Sequence, residues 1–158
     1  MKKFIRFPEV LDDLNQLKLR KVKEDDKEFL FNLKKKTLRP YIKKTWGWDE
    51  DWQLEYFNDH YEPENLKIIQ FLQEDIGCIS IVEKNESIDI ALIEVLPEYQ
   101  NRGIGTFLIK NSIRELRMKK KPITLQVLKS NKDALRLYQQ LGFTIQAKTS
   151  THYKLRIH

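Results

Sequence analysis

The 158-residue sequence contains one cysteine, Cys78, so no intrachain disulfide can form. That fits a reducing compartment and excludes a metal site built on paired cysteines. Cys78 sits in the strand-like stretch DIGCISIV and reads as a small buried hydrophobe. No apolar run approaches the roughly 20 residues of a membrane span. The opening, MKKFIRFPEVLDD, is basic but lacks a long apolar stretch, so no secretory signal is predicted and a cytoplasmic protein is expected. The three histidines are scattered and no HExxH occurs, so no metal centre is expected. Five glycines, five prolines and the absence of any repeat or Gly/Ser linker exclude repeat and low-complexity classes. A single domain is predicted.

What the chain does have is positive charge. Lysine and arginine number 29 against 23 acids, a net charge of +6. An anionic ligand, a nucleic acid or merely a lysine-rich surface would each fit. The basic stretches RKVK, NLKKKTLR and RELRMKKK are not interleaved with aromatics as a base-stacking platform requires, so nucleic acid is the disfavoured partner.

Patterning predicts a mixed order of elements. LKLRKVK (17–23) alternates as a strand. Residues 24–36 read as a helix stopped by Pro40, and about 49–60 as a second helix. LKIIQFLQ and IGCISIVEK read as paired strands around a turn near Glu74–Asp75, and SIDIALIEVL as a third strand. A helix from Gly103 to about Met118, a strand at 123–129, a helix closed by Gly142 and two last strands complete the chain. This predicts one α/β (α+β) domain over 17–158, with a mixed sheet, helices on both faces and an extension at 1–16.

Two glycines, Gly103 and Gly105, stand where a helix begins, in PEYQNRGIGTFLI. A helix N-terminus offers unpaired N–H groups and partial positive charge, and glycines there let an anion approach the backbone. A tight turn with close helix–strand packing explains the glycines equally well. Neither the dinucleotide fingerprint nor the Walker loop is present: Leu108 stands where a third glycine is required, and Thr106–Phe107 follow Gly105.

These residues resemble the Gln/Arg-x-x-Gly-x-Gly/Ala signature of the Gcn5-related N-acetyltransferases, with Gln100, Gly103 and Gly105 in register and Arg102 beside them. SNKDALRLYQQLGF is similar to the family's next motif through Asn131, Ala134, Leu137, Tyr138, Gly142 and Phe143. The two motifs occur in order, about a strand apart. The resemblance implies a sheet with a bulged strand and two splayed central strands that hold acetyl-CoA. Its pyrophosphate would meet Gln100, Asn101, Arg102, Gly103, Ile104, Gly105 and Thr106. Its pantetheine arm would pair near Val95 and Leu96, with Asn131 hydrogen-bonding the arm and Tyr138 beside the sulfur.

The implied reaction is direct acetyl transfer to a primary amine in a ternary complex. The amine must shed a proton, its pKa being about 10.4 in a lysine. The thioester oxygen needs a donor, for which the resemblance offers a free N–H at a bulge near Val95. The leaving thiolate needs a proton, for which it offers Tyr138; a core tyrosine is the structural alternative. Asp89 and Glu94 are the base candidates. They differ in parity, so an unbroken strand would turn them to opposite faces. Gln126 stands where one branch of the family carries a base glutamate, and a water chain is the remaining option. TWGWDEDWQLEYF holds Trp46, Trp48 and Trp52 among acids, which suits a cationic acceptor by cation–π and charge pairing; helix packing explains it as well. His152 is a further acceptor-side candidate. The expected partner is therefore a small-molecule or protein amine, with a homodimer as an option. The other readings are an acyl-CoA sensor without turnover and an acetyltransferase directed at aminoacyl-tRNA.

Overall fold

The computed structural model describes residues 14 and 16–158. The predicted extension at 1–16 lies, but for two residues, outside the described ones. Among the described residues seven strands form one mixed sheet: β1 Leu17–Lys21, β2 Leu66–Phe71, β3 Glu74–Glu83, β4 Ile88–Val95, β5 Ile123–Leu128, β6 Thr144–Lys148 and β7 His152–Ile157. Their order is β1-β2-β3-β4-β5-β7-β6, and only β4 and β5 run parallel. The main helices are α1 Lys27–Trp46, α2 Glu50–Asp59, α3 Ile104–Leu116 and α4 Lys132–Gln140.

Strand alternation divides the core in two. Ile69 and Phe71 of β2, Ile79 of β3 and Val95 of β4 turn to one face, where Ile104 and Leu108 of α3 cover them. Ile90, Leu125, Val127 and Leu155 continue that layer against Ile109 and Ile113 of α3 and the inner side of α4. Ile68 and Cys78 turn to the other face, under Leu30 and Leu33 of α1. Cys78 is thus the buried small side chain its context predicts. Helix α2 stacks on the outside of α1 through Phe31 and Phe57, whose ring centroids are 5.4 Å apart.

Three local expectations are corrected. Pro40 does not end the first helix, which runs on to Trp46. Loss of one N–H and the clash with the preceding turn are outweighed by packing beyond it, where Ile42 is buried. The β2–β3 turn lies at Leu72–Gln73, two residues before the position predicted. Both residues have positive φ, 51° and 70°, a conformation favoured by Asn-Gly rather than by Leu-Gln, so the usual signal was absent. The third correction concerns the bulge. Ser80 pairs with Leu92 but Ile81 pairs with Ile90, so Ala91 is the extra residue, well before Val95.

The β4–β5 ladder contains only three pairs, Ile88↔Ile123, Asp89↔Thr124 and Ile90↔Leu125. It stops where the bulge begins, while both strands continue. This is the splay that the motif resemblance implied. On its far side β3 lies close against β4: a Cβ at Gly77 would stand 2.1 Å from the Glu94 carbonyl oxygen. Gly77→Ala is therefore expected to cost about 3 kcal/mol by forcing two paired backbones apart. Urea unfolding of the variant checks this.

Candidate active site

The splay opens into two cavities. The larger, about 550 Å³, runs from the glycine turn past Val95 and Glu94 to the inner side of α1 and the start of α4. The smaller, about 390 Å³, is lined by Asp89, Gln126, Leu128 and His152. Leu38, Ile93, Asn131, Ala134 and Tyr138 border both, so the two spaces meet around Tyr138.

Each part of the larger cavity follows from local chemistry. The Leu96 N–H bonds the Ile76 carbonyl at 2.7 Å, so alternation turns the N–H groups of Ile93 and Val95 into the open gap. The Val95 carbonyl accepts from the Gln100 side chain at 2.8 Å, which ties the strand end to the turn. Asn101 and Gly103 take left-handed conformations, φ 61° and 82°. They turn the chain so that α3 begins with the N–H groups of Ile104, Gly105 and Thr106 unpaired at the cavity wall. The two glycines have different reasons. Gly103 supplies backbone conformation. A Cβ at Gly105 would meet nothing within 4 Å, so neither protein packing nor φ demands glycine there, and the space belongs to whatever fills the cavity. The start of α4 reaches the same space, where the Asn131 Oδ1 caps it by accepting from the Ala134 N–H at 3.2 Å.

Tyr138 makes a T-shaped contact with Phe143, centroids 6.1 Å apart. Burial pushes its pKa up to about 12, so its hydroxyl keeps a proton at neutral pH. Glu94 is 4% exposed and lines the larger cavity. Burial raises its pKa, against the Thr37 and Cys78 hydrogen bonds and the Lys34 charge, which lower it. Asp89 accepts from Thr124 Oγ1 at 3.1 Å and lies 3.6 Å from the Lys84 ammonium.

The bulge overturns the parity expectation for these two carboxylates. Their partners across the ladder are Val82 for Asp89 and Cys78 for Glu94, with Ser80 opposite Leu92 between them. Val82, Ser80 and Cys78 alternate regularly in β3 and share a face, so Asp89 and Glu94 share it too, on the side covered by α1.

The predicted cofactor residues Val95, Gln100, Asn101, Gly103, Ile104, Gly105, Thr106, Asn131 and Tyr138 all line the larger cavity. Leu96 instead packs under α1, and the Arg102 guanidinium lies over the Tyr99 ring at 5.2 Å. On the acceptor side, Trp46 is 60% exposed and packs against His152, centroids 6.0 Å apart. Burial lowers the His152 pKa. Trp48 lies apart from both cavities, under the Arg39 guanidinium at 5.7 Å, with its N–H donating to Glu50. The acids beside it also have internal roles: Asp49 caps α2 by accepting from the Trp52 N–H, and Glu50 pairs with Lys35 at 2.8 Å. Sequence reasoning missed Thr37, Leu38 and Tyr41, which line the cavity from α1; Tyr41 does so because the helix continues past Pro40.

The chain's likenesses agree with this geometry. Residues 27–143 match the model of the Acetyltransferase (GNAT) family. An uncharacterized N-acetyltransferase of Methanocaldococcus jannaschii is 32% identical over 144 residues, covering 85% of this chain and 64% of that protein. The chain thus spans less than two thirds of that relative's length. The PaiA N-acetyltransferase of Thermoplasma acidophilum, solved with coenzyme A, has a TM-score of 0.73 at 15% identity, covering 89% of this chain and 97% of that one. The spermidine N-acetyltransferase of Vibrio cholerae, solved with CoA and spermine, has a TM-score of 0.66 at 22% identity, covering 90% and 95%. At such identities the structural likeness is one of fold.

Glu94 also sets a pH dependence. Its folded pKa is raised, so between the unfolded glutamate value of about 4.3 and the folded value the folded chain holds the extra proton. Stability therefore falls as pH rises through that window. Glu94→Gln keeps a polar partner for Thr37 and removes the titration. Thermal melts across acidic to neutral pH are expected to show the fall reduced in the variant.

Proposed function

The chain belongs to the Acetyltransferase (GNAT) family, and from that premise we propose that it transfers the acetyl group of acetyl-CoA to a primary amine by direct attack in a ternary complex. The observation that carries the reading is the splay itself: an open strand edge ending in a cradle of unpaired N–H groups, with a protonated tyrosine where two cavities meet.

The residues present fit the cofactor. Gly105 leaves room that no protein atom claims, and the N–H groups of Ile104, Gly105 and Thr106 would hold a pyrophosphate. The N–H groups of Ile93 and Val95 would pair with the amide-bearing arm, as an added strand does. Acetyl-CoA supplies an activated acyl group on a sulfur leaving group. The chain's own residues handle the protons. Tyr138 holds one for the departing sulfur and recovers one from the amide nitrogen. Glu94 is the proton acceptor favoured here, because of the two carboxylates it alone lines the larger cavity, whereas Asp89 is engaged by Lys84 and Thr124.

The acceptor is proposed to enter through the smaller cavity, past Trp46 and His152. The exposed indole face of Trp46 favours an ammonium-bearing amine, a polyamine or a protein amine. Asp49 and Glu50 contribute to α2 instead.

The test pairs binding with turnover. Saturating acetyl-CoA, at about 100 times its Kd, should stabilise the protein by about 2.7 kcal/mol in thermal melts. Gly105→Ala should raise the stability of the free protein by up to about 0.5 kcal/mol through helix propensity while weakening that acetyl-CoA shift. Mass spectrometry of polyamines, lysine peptides and free N-terminal peptides incubated with protein and acetyl-CoA should find an acetylated product. Tyr138→Phe should slow its formation about 10²-fold or more with acetyl-CoA binding retained. Binding without acetylation of any amine would replace this reading with the sensor.

A further inference from the structure

Glu94 carries a proton-counting problem that its neighbours resolve. Thr37 Oγ1 lies 2.6 Å from Glu94 Oε2 and 2.8 Å from the Leu33 carbonyl oxygen. A threonine hydroxyl has one proton to donate, and both of these atoms are acceptors if the carboxyl is ionised. Two short contacts on one hydroxyl either share that one proton or are both full two-centre hydrogen bonds, the latter only when the second proton comes from Glu94. The chain then runs from Cys78 Sγ–H to Glu94 Oε1 at 3.6 Å, from Oε2–H to Thr37 Oγ1, and from Thr37 O–H to the Leu33 carbonyl. In this arrangement Glu94 is a neutral acid.

The same atoms also fit the ionised form. If Oε2 loses its proton, the Thr37 hydroxyl turns from the Leu33 carbonyl to Oε2 and donates there. Cys78 continues to donate to Oε1. The Leu33 carbonyl gives up only its bond from Thr37, and no heavy atom has to move. Among the described residues, the charge that acts on Glu94 is Lys34, one turn before Thr37 on α1, and the titratable group bonded to it is the Cys78 thiol of β3; Lys36, Tyr41 and Tyr138 line the same cavity. Lys34 favours the ionised form and the apolar burial favours the neutral one, so the two forms are opposed rather than one being locked.

We propose that Thr37 is a positioning residue whose rotating hydroxyl lets the buried Glu94 carboxyl exchange between acid and carboxylate in place. Together they form the proton-accepting device of the larger cavity. This rests on the acetyl transfer proposed above only for its use. In that use, ionised Glu94 takes one proton from the acceptor ammonium, leaving a neutral amine and a carboxylic acid. The Thr37 hydroxyl swings back to Leu33 as Oε2 gains its proton, and Glu94 later releases that proton to solvent.

The experiment reads the proton directly. Protein labelled with ¹³C-glutamate is titrated by NMR, with the Glu94 carboxyl resonance identified by its loss in Glu94→Gln. In the unaltered protein it should titrate above the ordinary glutamate value of about 4.3. Thr37→Val removes a hydrogen bond that is stronger to the carboxylate than to the acid, so the midpoint should rise by about one pH unit. Thr37→Ser, which keeps the hydroxyl, should stay near the unaltered protein. Thr37→Ala serves in the same way if the valine variant does not fold. A Glu94 midpoint at the ordinary value, or one unmoved by loss of the hydroxyl in a folded variant, overturns the proposal. The titration needs neither acetyl-CoA nor an acceptor. The expected midpoints in a protein that acetylates nothing would sink the proposed function and leave this pair standing; acetylation with an ordinary Glu94 midpoint would do the reverse.

Discussion

One residue too many in β4 organises this molecule. Ala91 has no partner in β3, and the parallel ladder to β5 ends immediately before it, at Ile90 and Leu125. Beyond that point a central strand of a seven-stranded sheet has an open edge. Buried backbone N–H and C=O groups without partners are costly, and natural sheets seldom leave such an edge in the interior. Here the edge borders a cavity rather than protein, so its groups are available to a ligand that brings its own extended amide backbone. The bulge also moves Glu94 to the face covered by α1, where an unbroken strand would have placed Val95.

Shifting a carboxyl into the core has consequences on the helix above it. A buried carboxyl without partners would be destabilising, and Thr37, Cys78 and the charge of Lys34 are the groups that receive it. Thr37 sits one turn before Pro40, and the helix continues past that proline to carry Tyr41 over the cavity. Ser130 donates to the Tyr41 carbonyl at 3.2 Å, linking this part of α1 to the β5–α4 connection on the opposite side of the splay. The helix therefore bridges the two diverging strands, and the gap between them is roofed as well as open.

The positive backbone signals also gather here. Two αL residues in the glycine turn and the N-termini of α3 and α4 all border the same space. Each supplies partial positive charge or free donors from the main chain rather than from side chains. The net charge of +6 is thus a poor guide to how an anion would be held. The basic stretches are spread over β1 and the outer parts of α1 and α3, and Arg102, the one arginine inside the motif, lies over a tyrosine ring instead.

The motifs from Ile88 to Phe143 were legible because they are local. Glycine conformation, a helix cap at Asn131 and a tyrosine one turn beyond Ala134 are encoded within a few residues of each other, and the structure sets them around one cavity. Hydrophobic alternation likewise determined which strands are buried and that the sheet is covered on both faces. What the sequence could not determine are features fixed by a partner strand or helix. No pattern marks Ala91 as a bulge, since the extra residue is defined by β3 opposite it; hence the faces of Asp89 and Glu94 were misjudged. Pro40 read as a stop because its local penalty is visible, whereas the packing of Ile42 that outweighs it is not. Composition shows Trp48 and Glu50 as an aromatic and an acid side by side, but not that Arg39 and Lys35 face them. Local chain chemistry is written in neighbouring residues; register, through-space pairing and the proton on Glu94 depend on atoms brought together from distant parts of the chain, and only the folded arrangement decides them.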